Sequence, residues 1–366
     1  MTDDPAVVFL CGDVMLGRGV DQILPHPGDP ALRERCIVDA RTYVELAEAV
    51  NGPVARPVDY SWPWGDALAL LDEAAPDVRV VNVETSITRC DHFAPGKGIH
   101  YRMNPANVSC LTVAQPDVCV LANNHVLDFG PEGLGDTLET LAGAGLRAAG
   151  AGVSEAEACR PADIPLPGGG RVVVHSFGTP SSGIPESWAA SGQRAGVGFV
   201  AELSDTAADG VLDRVRQHGG DIVIASVHWG SNWGYGVSRD QVHFAHRLLE
   251  GGVDIVHGHS SHHPRPIEVY RDKLILYGCG DFIDDYEGIT GHEEYRHDLR
   301  LAYFASVEPG SGRLIGLRMS PLRARQLRLR RASSHDAAWL ETVLRHISGV
   351  FGCRIDRAPD GTLVLR

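Results

Sequence analysis

Lysine is nearly missing from this chain of 366 residues: only Lys97 and Lys273 occur, so arginine carries almost all of the positive charge. Basic excess is missing too. The formal net charge is −14, which argues against a nucleic-acid partner, because a phosphate-binding surface must be basic. No CxxC pair occurs among Cys11, Cys36, Cys90, Cys110, Cys119, Cys159, Cys279 and Cys353, and several lie in apolar runs; they read as reduced core thiols of a cytoplasmic protein rather than as a disulfide framework. The opening MTDDPA has no basic n-region, and no apolar stretch approaches the roughly 18 residues of a membrane span. The expectation is a protein with neither export signal nor membrane contact. No internal repeat is present.

What is there is a globular α/β pattern. Hydrophobic residues make up 43%, and the length suits one large α/β domain or a domain with an appended lobe. Apolar runs at 6–11, 78–83, 117–121, 171–176, 221–227, 253–256, 273–277 and 301–307 read as strands. Helix-periodic segments at 64–74, 133–145 and 239–252 lie between them. Three stretches, 21–63, 178–200 and 284–299, break the alternation and read as loops walling a pocket. We expect a domain over 1–320 and, over 321–366, a strand–helix–strand extension packed on it.

The chemistry gathers at strand ends. His257, His259, His262 and His263 fall within seven residues after one apolar run, a clustering that suits a metal site, with a His-rich surface loop as the plainer reading. Other runs end in Asp13, in Asn82 and Glu84, in Asn124, His125 and Asp128, and in His228. In an open α/β sheet the carboxyl ends of parallel strands share one edge, so these groups can converge on a divalent cation. Singly, each could be a cap or a satisfied core group.

The order GDVMLGR, NVET, NNH, HWG, GHxxH, YGCGDF, from about residue 6 to about residue 305, resembles the CapA-type proteins, the capsule and poly-γ-glutamate group of the calcineurin-like metallophosphatase superfamily. That resemblance implies a four-layer sandwich, two packed sheets flanked by helices. It implies a divalent metal (Ca, Mn or Zn) held by Asp13, Glu84, Asn124, His228, His259 and His262, with Glu84 at the bridging position, and no organic cofactor. Met15 stands where the superfamily has a histidine, and Asn232 and Asp281 replace an acidic residue and an asparagine. One tight metal site is therefore expected rather than two.

Beside the metal, His125 is the leading acid/base, with Asp13, His259 and Asp281 as further catalytic candidates. Asp128 reads as a helix cap or as a partner of a histidine, and Asp285 as a solvated loop charge. Arg18, Lys97 and Arg102 could hold a carboxylate or phosphate, although Arg102 could equally pair with a surface acid. Trp229 and Trp233 offer pocket walls or ordinary packing. Three reactions fit: phosphoester hydrolysis, CapA-like action on a γ-glutamyl polymer, and proton exchange at a peptide Cα. The missing imidazole at Met15 and the missing anchor favour the third. His257, Asp281 and the cationic and aromatic loops support it, and the chain is also similar to the metal-dependent lasso-peptide epimerases of calcineurin-like fold. The expectation is thus a peptide epimerase with a peptide substrate; a degenerate, non-catalytic binding protein is the alternative of another class.

Overall fold

Along the strand Ala6–Val14 successive side chains point to opposite faces, and the sequence supplies an apolar residue for both: Val8 and Leu10 enter one buried cluster, Phe9 and Cys11 another. The same division holds in Val118–Val120, where Val118 and Val120 face one way and Cys119 the other, and in Ile222–His228, where Ile222 and Ile224 oppose Val223 and Ala225. Strands apolar on both faces must be covered on both. The computed structural model describes residues 4–366 and meets that demand with two sheets packed face to face.

The first sheet runs in the order Ile355–Arg357, Leu363–Leu365, Leu314–Ala324, Leu299–Val307, Ala6–Val14, Val78–Val83, Val118–Val120, Arg147–Ala149, with Asp281–Ile283 also paired to Ala6–Val14 and Leu329–Arg331 to Leu314–Ala324. The second runs Ile267–Tyr270, Lys273–Leu276, Ile255–His259, Ile222–His228, Arg171–Gly178, Ala162–Pro165. Val8, Leu10, Val80, Val120, Val174, Ile224, Ile255 and Leu276 form the core between them. Helices Arg41–Asn51, Asp66–Ala74 and Gly130–Gly143 cover the outer face of the first sheet, and Asp205–His218 and Arg239–Glu250 that of the second. The result is a four-layer α/β sandwich, the architecture expected from the sequence.

Two expectations about organisation change. The stretch 21–63 contains the helix Arg41–Asn51, which its Pro-rich flanks hid. The boundary expected at 320/321 falls inside the strand Leu314–Ala324, so the C-terminal extension continues the first sheet, and its helix Ser334–Ser348 sends Leu340, Leu344 and Ile347 into the inter-sheet core.

Candidate active site

Asp13, Asn82, His228 and His259 all end parallel strands, two in each sheet, and both sheets direct those ends to one edge. Register brings Asp13 level with Asn82 on one side and with Asp281 on the other, while His228 is level with His259. The turn after Val118–Val120 adds Asn123, Asn124 and His125. Asn123 holds that turn: its amide nitrogen donates to Asn82 Oδ1 at 3.0 Å and to the Val83 carbonyl at 2.8 Å, and its oxygen accepts the His125 and Val126 backbone N–H groups. In the sequence only the Asn-Asn doublet at a strand end signals Asn123.

Two groups of ligand-type atoms form here, Asp13 with His228 and His259, and Asp13 with Glu84 and Asp281, each within 4.8 Å of one another. Asp13, rather than Glu84, is common to both. In the first group the outer nitrogens are oriented from behind, His259 Nε2 by Ser226 Oγ at 2.9 Å and His228 Nε2 by Asn124 Oδ1 at 3.0 Å. The two Nδ1 atoms face each other at 2.7 Å, with Asp13 Oδ1 3.8 Å from that of His259. Metal-binding imidazoles are commonly fixed in this way through the nitrogen that does not bind. Asn124, an expected ligand, is thus in direct contact with His228, whose Nε2 also lies 3.6 Å from Glu84 Oε1.

The second group is three buried carboxylates. Burial, with the charge of Asp281 beside it, pushes Asp13 up to about 7, and burial with Asp13 and Asp281 pushes Glu84 well above the usual range. Asp281 Oδ2 is buried without a hydrogen-bond partner. A divalent cation suits such a set, because it offsets the mutual repulsion and gives the orphaned oxygen a partner. The residues present fit a metal: nitrogen and oxygen donors in one group, oxygen alone in the other.

His262 lies outside both groups. Its Nδ1 pairs with Asp281 Oδ1 at 3.0 Å and its Nε2 with Asn232 Nδ2 at 3.0 Å. Although burial opposes protonation, Asp281 holds His262 above the ordinary imidazole value. A second pair, His125 and Asp128, is closer, with Nδ1 to Oδ2 at 2.6 Å. Asp128 also accepts from Lys97 Nζ at 2.5 Å and from the Tyr101 N–H at 2.7 Å. Burial works against its charge, but His125 and Lys97 outweigh burial and keep it below the usual carboxylate range. With Nδ1–H given to Asp128, His125 Nε2 is the free acceptor, 4.0 Å from Glu84 Oε1. Burial pushes His125 down to about 3, so it is neutral near pH 7. His125, His262, Glu84, Lys97 and Tyr101 line one cavity of about 250 Å³.

The model of the bacterial capsule synthesis protein family PGA_cap matches residues 7–286, a span that contains every group just described. The chain belongs to that family. A probable polyglutamine synthesis accessory protein of Mycobacterium tuberculosis (strain CDC 1551 / Oshkosh) is 54% identical over 365 residues, covering 98% of this chain and 96% of its own. The PGA biosynthesis protein CapA of Bacillus subtilis (strain 168) is 27% identical, over 85% of this chain and 70% of its own. The capsule biosynthesis protein CapA of Bacillus anthracis is 24% identical, over 77% of this chain and 61% of its own.

Several expected site residues of this PGA_cap protein lie elsewhere. Arg18 is buried and pairs with Asp285 at 2.5 Å and Glu34 at 2.9 Å, so it ties loops together instead of meeting a substrate. Asp285 is correspondingly buried, not solvated. Arg102 donates to the carbonyls of Cys90 and Asp29 and lies over the Phe129 ring, outside the cavity. Trp229 is fully buried and donates to the Tyr277 carbonyl at 2.9 Å, beneath the site; Trp233 is half-buried and stacks on His292. Lys97 does border the cavity. Asp128 partners His125, and the helix Gly130–Gly143 has no side-chain cap. His257 is occupied by Ser226 Oγ and the Cys11 carbonyl, and His263 packs on Tyr295. Among the described residues no helix is long and apolar enough to cross a membrane.

Proposed function

We propose that this protein is a metal-dependent enzyme that cleaves or transfers an amide bond of a glutamyl polymer. The substrate class follows the printed names of the relatives, which concern polyglutamine synthesis and PGA biosynthesis. They favour this reading over the expected lasso-peptide epimerase. The observation that carries the chemistry is the orientation of His125: Nδ1 tied to Asp128, Nε2 open toward Glu84 and the cavity. Asp13, with His228 and His259 or with Glu84 and Asp281, would hold a divalent cation, which would supply Lewis-acid polarisation of a carbonyl. Water adds across the amide C–N bond; His125 Nε2 takes the water proton and passes it to the leaving nitrogen, while Asp128 holds the ring and stabilises its charge.

Incubation with α- and γ-linked glutamyl oligomers, followed by mass spectrometry, tests this. Shortened or transferred products that vanish on chelation and return with metal are expected. Unchanged oligomers of both linkages, at full metal loading, refute it.

His262, held by Asp281, lines the same cavity and favours one other reading, proton exchange at a Cα between two bases. Deuterium uptake from D₂O at one Cα, with chain length preserved, would select it.

A further inference from the structure

Residues 313–366 hold 11 arginines and no lysine against 4 carboxylate side chains, a formal +7, which leaves −21 for residues 1–312 in a chain of −14. The positive charge is densest in the hairpin that joins Leu314–Ala324 to Leu329–Arg331, where Arg323, Arg325, Arg328, Arg330 and Arg331 fall within nine residues. Arg323 pairs with Asp298 and Arg331 with Glu73. Among the described residues, no carboxylate lies within 4.0 Å of the guanidinium of Arg325, Arg328 or Arg330, and Arg328 Nε is a buried donor with no partner.

Topology places these cations on the edge that carries the site. The strand Leu314–Ala324 is separated from Ala6–Val14 by the antiparallel Leu299–Val307, so both run in one direction, and its carboxyl end emerges beside that of the strand bearing Asp13. The turn itself is held there. Gln326 and Leu327 have φ of 60° and 52°, left-handed values costly for residues with a side chain. The Glu287 carboxylate accepts the N–H groups of both, at 2.8 and 2.5 Å. Glu287 follows Tyr286, whose hydroxyl meets that of Tyr101 in the cavity wall.

We infer that the 323–331 hairpin is a docking strip for a polymer bearing free carboxylates, laid across the strand-end edge so that one of its amide bonds reaches the cavity. This rests on the glutamyl-polymer reading and sharpens it: three unpaired guanidiniums suit glutamate side chains, not the neutral carboxamides of polyglutamine. The strip is a small positive field on an otherwise acidic molecule, which fits a flexible polyanion better than a broad phosphate surface.

The test uses the full-length, metal-loaded protein and two variants, Arg325→Gln/Arg328→Gln/Arg330→Gln and Arg325→Gln/Arg330→Gln; the second keeps Arg328, which packs over Trp62. Binding to long polyglutamate, to polyglutamine and to anionic lipid vesicles is measured beside turnover of a glutamyl trimer, which offers the strip few carboxylates. Expected are salt-sensitive binding of polyglutamate at least about tenfold tighter than that of polyglutamine, a loss of about tenfold or more in both variants, and unchanged trimer turnover. Variants that bind long polyglutamate as the parent does overturn the strip and leave the function standing if the trimer is still processed. Arginine-dependent binding to vesicles as tight as to polyglutamate overturns the choice of occupant. A parent protein that neither binds nor processes any glutamyl chain brings down the function reading and the strip with it.

Discussion

The Tyr101 ring is stacked on the His125 imidazole, with 3.7 Å between centroids and 18° between planes. The Arg18 guanidinium lies over the same phenol at 4.6 Å, and the Tyr101 hydroxyl meets that of Tyr286. The imidazole is thus fixed by Asp128 at Nδ1 and by an aromatic plane on one face, which leaves Nε2 as its working atom. Reaching that arrangement takes segments from residues 18, 101, 125–128 and 286, so it depends on the packed loops as much as on the strand ends.

Tyr101→Phe should keep the stack and lose only the hydroxyl contact, leaving turnover within a few-fold of the parent. Tyr101→Ala should free the ring and lower turnover steeply, and removing a buried aromatic costs about 3–5 kcal/mol. His125→Ala should lower turnover by about 10²–10⁴ while metal content stays constant. Elemental analysis beside oligomer kinetics checks all three; equal activity of Tyr101→Ala and Tyr101→Phe would remove the stack from the mechanism.

Since Asp13 belongs to both ligand groups, Asp13→Ala should abolish tight metal binding altogether. His228→Ala should weaken Zn²⁺ more than Ca²⁺, and Asp281→Ala the reverse, because imidazole favours the borderline ion and carboxylate the hard one. Calorimetric titration of each variant with each ion reads this directly. An Asp281→Ala variant with unchanged Ca²⁺ affinity would dissolve the second group.

The strand-end residues were legible because parallel strands place their carboxyl ends together whatever the loops do, and Asp13, Glu84, His125, His228, His259 and Asp281 do meet. Arg18 and Arg102 were not legible as structural ties. A cation in a loop reveals its charge but not its partner, and the partner of Arg18, Asp285, lies 267 positions away. The spacing of His262 from His259 suits a shared metal, but the turn through Ser260, at φ 97°, brings its Nδ1 to Asp281, a pairing the spacing does not announce. The strand end that places Asn124 beside His228 also hid the role of Asn123, since alternate residues at a turn have no fixed direction in sequence.

The buried Arg18–Asp285 pair separates a structural from a substrate role. Asp285→Ala leaves a guanidinium buried with only Glu34 for charge, and breaking such a pair costs about 3–5 kcal/mol. Urea unfolding should show that loss in Asp285→Ala and in Arg18→Ala alike. A stable Arg18→Ala protein with a raised KM would instead return Arg18 to the substrate.

Acid should destabilise the protein through histidines that are buried neutral. Burial lowers His257 and His175 from 6.5 to about 4 each, and His125 to about 3. The unfolded chain therefore takes up protons that the folded one refuses: stability is full above about pH 6.5 and falls as pH drops toward 4, by on the order of 3 kcal/mol for one shift of that size. The Asp13 carboxyl acts in the other direction. Asp13, raised to about 7, favours the folded metal-free state when protonated, so its contribution is present at low pH and is lost as pH rises through 7. Metal binding requires the ionised carboxylate and should remove that alkaline loss. His175 is remote from the metal groups, on the Arg171–Gly178 strand, so acid lability should persist in the metal-loaded protein and be reduced in His175→Phe. Thermal unfolding from pH 4 to 9, with and without metal, measures both limbs. A His175→Phe protein that loses as much stability between pH 7 and pH 5 as the parent would contradict the His175 assignment.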